Sequence, residues 1–142
     1  MSTEAPDNYA VPLLALDQIE SINNAGIKTR KAVSADEPYF IGHFPNCPIF
    51  PGVFIIEAVH QAVIHYAANY CGRVRMIEIR SVRFLSPVAP GDLLECDCRC
   101  AVRSEDGLLQ VKATCYCGSR RVASVNLAYC IEKADDPKSC QD

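Results

Sequence analysis

The chain has no run of about 20 consecutive apolar residues, the length a helix needs to cross a bilayer. Its N-terminal stretch MSTEAPDNYA lacks both the basic start and the apolar centre of a secretory signal, so a cytoplasmic location is expected and no membrane partner. Positive charge is not in excess either: 14 Lys and Arg stand against 17 Asp and Glu, for a net charge of -3 at pH 7. That balance excludes a binder of nucleic acid that neutralises phosphates with many basic side chains. Cys-x-x-Cys and Cys/His zinc spacings are missing, so no metal site is expected. The nine cysteines are an odd number without a signal peptide, which favours free thiols over a disulfide framework. Repeats and linkers are also lacking. One domain is expected over residues 9–133, between a disordered leader at 1–8 and a flexible tail at 134–142.

What is present is a core-forming composition, 49% hydrophobic and 22% charged, with a pattern that changes along the chain. PLLALDQIESI, NNAG and IKTRKAVS predict a strand, a turn and a returning strand. From about Phe54 to Tyr70, FIIEAVHQAVIHYAANY is apolar on most sides and stops before Cys71-Gly72, where a glycine can close a helix. Beyond it the period becomes two. RVRMIEIRSVRF is strand-like, and in LLECDCRCAV the residues Leu94, Cys96, Cys98, Cys100 and Val102 share one face while Glu95, Asp97 and Arg99 share the other. Cysteines at that spacing read as small packing side chains. Turns at Asp106-Gly107 and at GSRR then link three long strands as successive hairpins. The economical way to bury one nearly all-apolar helix is to wrap a curved antiparallel β-sheet around it, an α+β hot-dog fold. Such a sheet leaves an edge strand and part of the helix uncovered, which association with a second chain would protect.

Chemistry gathers in GHFPNCPIFPGVFIIEAVHQ, residues 42–61. His43 and Glu57 form a candidate acid/base pair, because imidazole titrates near neutrality and an apolar setting favours a neutral carboxyl. Glu57 is expected in the first helical turn, where the dipole favours its anion and opposes that effect. Gln61, at i+4, can hydrogen-bond and orient the carboxyl. Pro51-Gly52 opens the helix N-terminus to a substrate oxygen, the makings of an oxyanion site. Pro45, Pro48 and Pro51 restrict the loop that carries His43.

This stretch resembles the signature of the 3-hydroxyacyl-acyl-carrier-protein dehydratases of type II fatty-acid synthesis, through His43-Phe44-Pro45, Pro48, Pro51-Gly52, Glu57-Ala58 and Gln61. A second element of that family matches in Phe84, Pro87-Val88, Pro90-Gly91-Asp92 and Leu94, and the likeness runs from about Leu13 to Ile131. It implies a hot-dog fold and dehydration of a 3-hydroxyacyl thioester on the phosphopantetheine arm of a carrier protein, giving the trans-2-enoyl thioester, in fatty-acid or related polyketide or polyene synthesis. His43 takes the proton from C2, Glu57 protonates the departing 3-hydroxyl, and the Gly52 N–H, with Val53 beside it, steadies the thioester carbonyl. No cofactor is implied. A Glu at the acid position, where dehydratase-isomerases usually carry Asp, weighs against isomerase activity without deciding it.

In relatives the His and Glu of one site come from different protomers, so the expectation is a homodimer, or a heterodimer with a paralogue, and possibly a trimer of dimers. Phe50, Val53, Phe54 and Ile56 are expected to line the acyl tunnel. Arg73, Arg75, Arg80, Arg83, Arg120 and Arg121 are candidates to rim its mouth and meet the acidic acyl carrier protein. Asp17-Gln18 departs from the Asp-Arg that many relatives carry. His60 and His65 match no catalytic position and are taken as packing or interface residues. The rival readings are a non-catalytic partner subunit of a dehydratase heterodimer and a hot-dog acyl thioesterase.

Overall fold

The computed structural model describes residues 15–36 and 49–132. The leader, the tail and the loop that carries His43 lie outside the described residues. Among the described residues, β1 (Gln18–Asn23) and β2 (Gly26–Ala32) form the first hairpin, α1 (Gly52–Tyr70) follows, and β3 (Arg73–Phe84), β4 (Leu93–Val102), β5 (Leu109–Cys117) and β6 (Arg120–Glu132) come after it. All six strands join one antiparallel sheet in the order β1-β2-β4-β5-β6-β3, and α1 lies across it. This is the hot-dog α+β arrangement expected from the pattern.

The period-two segment behaves as its alternation requires. Leu94, Cys96, Cys98 and Cys100 on β4 are buried, as are Val111, Ala113, Cys115 and Cys117 on β5, and these positions face one another in register. Val102 departs from its face and is exposed at the strand's end. Small thiols here let the sheet approach the helix through Ala58, Val59, Ala62 and Val63, none of which is exposed. Cys115 donates its S–H to Cys96 at 3.6 Å. Burial drives the Cys98 thiol well above its ordinary value, with Cys96 and Cys100 adding to it, and pushes Cys100 up to about 12. These are packing thiols held protonated, not nucleophiles. Cys130 on β6 departs from the free-thiol expectation, because it is engaged in a disulfide.

α1 ends where the sequence predicts. Gly72 has φ 97°, a conformation open to glycine, and the N–H groups of Cys71 and Gly72 both bond Ala67 O, at 2.8 and 2.6 Å. Tyr66 ties the C-terminal part of the helix to the β1–β2 turn by donating to Asn24 O at 2.6 Å. The helix is apolar on most sides, yet the sheet covers only one side of it. Val53, Glu57, His60, Ile64 and Ala68 follow each other at intervals of three and four along the opposite side, a single stripe. Val53 is 66% exposed and Ile64 42%. β3, the edge strand beside this stripe, bulges between Met76 and Glu78 and again between Ile79 and Ser81, and exposes Ile77 and Ile79.

Candidate active site

α1 begins at Gly52, two residues before the sequence suggested, with Pro51 in extended backbone as its N-cap and no side chain capping it. Proline suits that position, since it has no N–H to lose and cannot extend the helix backwards. Glu57 is therefore the sixth helical residue, and the first turn holds no acidic side chain. This corrects the expected dipole effect on Glu57, because the dipole's influence fades beyond the first turn. What the helix start offers instead is donors. Phe54 N–H bonds Pro51 O at 3.0 Å, whereas the N–H groups of Gly52 and Val53 have no acceptor among the described residues.

Those donors open on an apolar cleft of about 550 Å³, with Phe50, Gly52, Val53 and Ile55 on one wall and Phe84 to Val88 on the other. Phe54 and Ile56, expected as tunnel residues, do not line this cleft; Phe54 packs edge-on against the buried Phe50, with ring centroids 5.7 Å apart. Gly52 has a second reason to be glycine. A Cβ there would sit 2.7 to 3.0 Å from the Phe84 ring, so the absence of a side chain lets that ring close over the helix start.

The far wall of the cleft is tied to β6 by the N–H groups of Leu85 and Ser86, which bond Val122 O at 2.8 and 3.3 Å, and is clamped by one side chain. Arg120 donates through Nη1 to Ser86 Oγ at 2.6 Å and Pro87 O at 2.7 Å, and through Nη2 to Asp92 Oδ2 at 3.1 Å. Asp92 also accepts from Ala89 N–H at 2.9 Å, and Val88 O accepts from Phe50 N–H at 2.7 Å, which couples the wall to the loop before the helix. Arg120→Met is expected to lower stability by about 1–2 kcal/mol in urea unfolding, the lower part of the range for three lost bonds because the side chain is 43% exposed. An unchanged midpoint would mean that the wall holds without the clamp.

Glu57 is half-buried on the open stripe, and its partner is the one its spacing predicts. Gln61 Nε2 donates to Glu57 Oε2 at 2.8 Å. The opposite end of the same amide, Oε1, accepts from Ala15 N–H at 3.0 Å. Because Ala15 supplies a donor, the amide can face Glu57 only with its NH₂ group. One carboxyl oxygen of Glu57 is thus always an acceptor, and when Glu57 is protonated the proton sits on the other oxygen, free for transfer.

One turn along, His60 Nδ1 lies 2.8 Å from the hydroxyl of Tyr129, and the two rings are nearly parallel, 2° apart. Tyr129 projects from β6 and is fully buried. Burial, followed by smaller contributions from Cys98, Cys100 and Glu57, raises its phenol far above the ordinary value. His65 is half-buried one turn further on. His43 lies outside the described residues, so the structure brings together Gly52, Val53, Glu57 and Gln61 without it.

The six arginines do not form one rim. Arg73 and Arg75 start β3 near the helix C-terminus, while Arg83 ends it, about 33 Å away at the usual strand rise. Arg80 pairs with Glu78 at 3.0 Å and Arg120 is committed to the cleft wall. Arg83 and Arg121 remain as exposed charges near the cleft, at the end of β3 and the start of β6.

Among the described residues, a six-stranded antiparallel sheet carrying one helix, with an oriented carboxyl and two N–H groups without an acceptor beside an apolar cleft, places the molecule in the hot-dog class. The dehydratase heterocomplex ApeI:P from Xenorhabdus doucetiae shares this fold, with a TM-score of 0.70 at 16% identity over 89% of this chain and 88% of that one. A family model for the FabA-like domain matches residues 8–126, and the chain belongs to that family. It is 32% identical over 139 residues to a 3-hydroxyacyl-[acyl-carrier-protein] dehydratase FabZ of Levilactobacillus brevis, covering 94% of this chain and 92% of the relative. A FabZ of Verminephrobacter eiseniae is 41% identical over 99 residues, which cover 64% of this chain and 65% of the relative, a little under two thirds of its length. The family expected from His43-Phe44-Pro45 through Gln61 is thereby the one found.

Proposed function

We propose that this protein removes water from 3-hydroxyacyl thioesters carried by an acyl carrier protein, giving the trans-2-enoyl thioester, in fatty-acid or related polyketide or polyene synthesis. The relatives are named for that reaction, and the observation that carries it to this chain is the Glu57–Gln61–Ala15 chain of hydrogen bonds beside the open N–H groups of Gly52 and Val53. The thioester carbonyl accepts from the helix start, and the charge that develops on its oxygen as C2 loses its proton is met by the Gly52 N–H. His43 takes that proton. Glu57 delivers its own to the 3-hydroxyl; the C3–O bond breaks, water leaves and C2=C3 forms. Gly52 and Glu57 are five residues apart, roughly 7.5 Å along the helix axis, which leaves room for a three-carbon span between them. The thioester itself acidifies C2, so the reaction needs no cofactor.

The stripe of α1 and the β3 edge with Ile77 and Ile79 are covered by a second copy of this chain, and each site takes His43 from one copy and Glu57 from the other. Arg83 and Arg121 meet the acidic carrier protein, and the reaction takes place in the cytoplasm.

The test is to incubate the protein with 3-hydroxyacyl-carrier-protein of several chain lengths and follow the carrier's mass. Loss of one water is expected. Unchanged substrate contradicts the reading, free acid indicates a thioesterase, and activity that appears only with a second, different subunit indicates a heterodimer.

A further inference from the structure

His60 stands on the same stripe as Glu57, three residues on, where helical geometry puts side chains about 5–6 Å apart at Cβ. Its Nδ1 is engaged by Tyr129 at 2.8 Å. Tyr129 is fully buried, stays protonated and has no other hydrogen-bond partner among the described residues, so His60 Nδ1 is the one acceptor the structure shows for its O–H. A phenol that donates to Nδ1 leaves the ring proton on Nε2. The two ring nitrogens diverge, so with Nδ1 engaged by Tyr129 the Nε2–H of this half-buried ring is directed away from that hydroxyl, and it has no acceptor among the described residues. The pattern repeats the one at Gln61. There an outer donor, Ala15 N–H, occupies the acceptor end of an amide and leaves its donor end for Glu57. Here an outer donor, Tyr129 O–H, occupies the acceptor nitrogen of an imidazole and leaves its donor nitrogen beside Glu57.

We propose that His60 is a second polar group of the acid half-site: a neutral imidazole, fixed by Tyr129, whose Nε2–H donates to the departing 3-hydroxyl oxygen as Glu57 protonates it. This rests on the dehydratase reading. His60 transfers no proton. Glu57 supplies it, the C3–O bond breaks, and the charge that gathers on oxygen is shared between the incoming proton and the Nε2–H donor. A group that binds the oxygen mainly as it departs lowers the barrier and leaves ground-state binding little changed.

The test combines a spectrum with kinetics. In protein labelled with ¹⁵N-histidine, the His60 resonances, assigned by loss in His60→Phe, are expected to show the Nε2-protonated neutral tautomer. Tyr129→Phe is expected to give a mixture of tautomers. His60→Phe, which keeps a ring against Tyr129, is expected to lower kcat about tenfold or more with KM nearly unchanged, and His60→Gln, which keeps a donor, to recover part of the loss. An Nδ1-protonated His60 in the wild type overturns the proposal, as does a His60→Phe kcat within about twofold of wild type. A wild-type protein that dehydrates no substrate but shows the Nε2 tautomer sinks the function and the donor role with it, while the Tyr129–His60 assignment stands.

Discussion

Glu57→Gln is expected to lower kcat for dehydration about 10³-fold while leaving the unfolding midpoint where it is. The substitution is nearly isosteric, and the new amide oxygen still accepts the hydrogen bond that Gln61 Nε2 gives to Oε2. The half-buried environment loses no partner. What disappears is the exchangeable proton on the other oxygen. Glu57→Asp is expected to be nearly as damaging for a different reason, because a side chain one methylene shorter withdraws the carboxyl from Gln61 and from the reacting oxygen by about 1 Å or more. Turnover within tenfold of wild type in Glu57→Gln, measured with a carrier-bound substrate, would remove Glu57 from the proton transfer.

Gln61→Leu should damage both stability and catalysis. Ala15 is 1% exposed, and its N–H finds its acceptor in Gln61 Oε1, so removing the amide strands a buried donor at a cost of about 1–3 kcal/mol. The same change frees the Glu57 carboxyl to rotate, and loss of its orientation is expected to lower kcat about 10²-fold. Gln61→Glu separates the two effects. The new carboxylate still accepts from Ala15, so stability is expected to recover, but it now opposes the Glu57 carboxyl instead of donating to it. Activity should therefore stay low while the urea midpoint returns toward wild type. Recovery of both together would mean that the amide acts only as packing.

The periodicities made the sheet and the helix legible before any coordinates. Alternating cysteines on Leu93–Val102 marked an inward face, and Gly72 marked the helix end, because each is a local requirement of backbone or pleat. Gln61 could be paired with Glu57 from spacing alone. The sequence misled where a boundary decided the chemistry. Reading the helix from Phe54 placed Glu57 in the first turn, whereas Pro51 and Gly52 start it earlier and remove most of the dipole's influence. The outer partners were not legible. Ala15 acts through its backbone, Tyr129 is one inward position among several on β6, and Arg120 looked like one more surface charge until the fold set it against Ser86, Pro87 and Asp92. Phe84 belonged to a matched motif, but its role as the ring that closes over Gly52 depends on a contact between the helix start and the end of β3. Long-range contacts of this kind have no signature in local pattern.

The open stripe of α1, with Glu57 at its centre and Val53 and Ile64 exposed on either side, is the feature on which the whole assignment turns. The most direct measurement mixes two inactive variants, His43→Ala and Glu57→Gln, unfolds and refolds them together, and assays dehydration. If each site takes His43 from one copy and Glu57 from the other, half the refolded dimers are hybrids with one intact site of two, and activity should return to roughly a quarter of wild type. A mixture as inactive as its separate components would contradict a site shared between two copies of this chain.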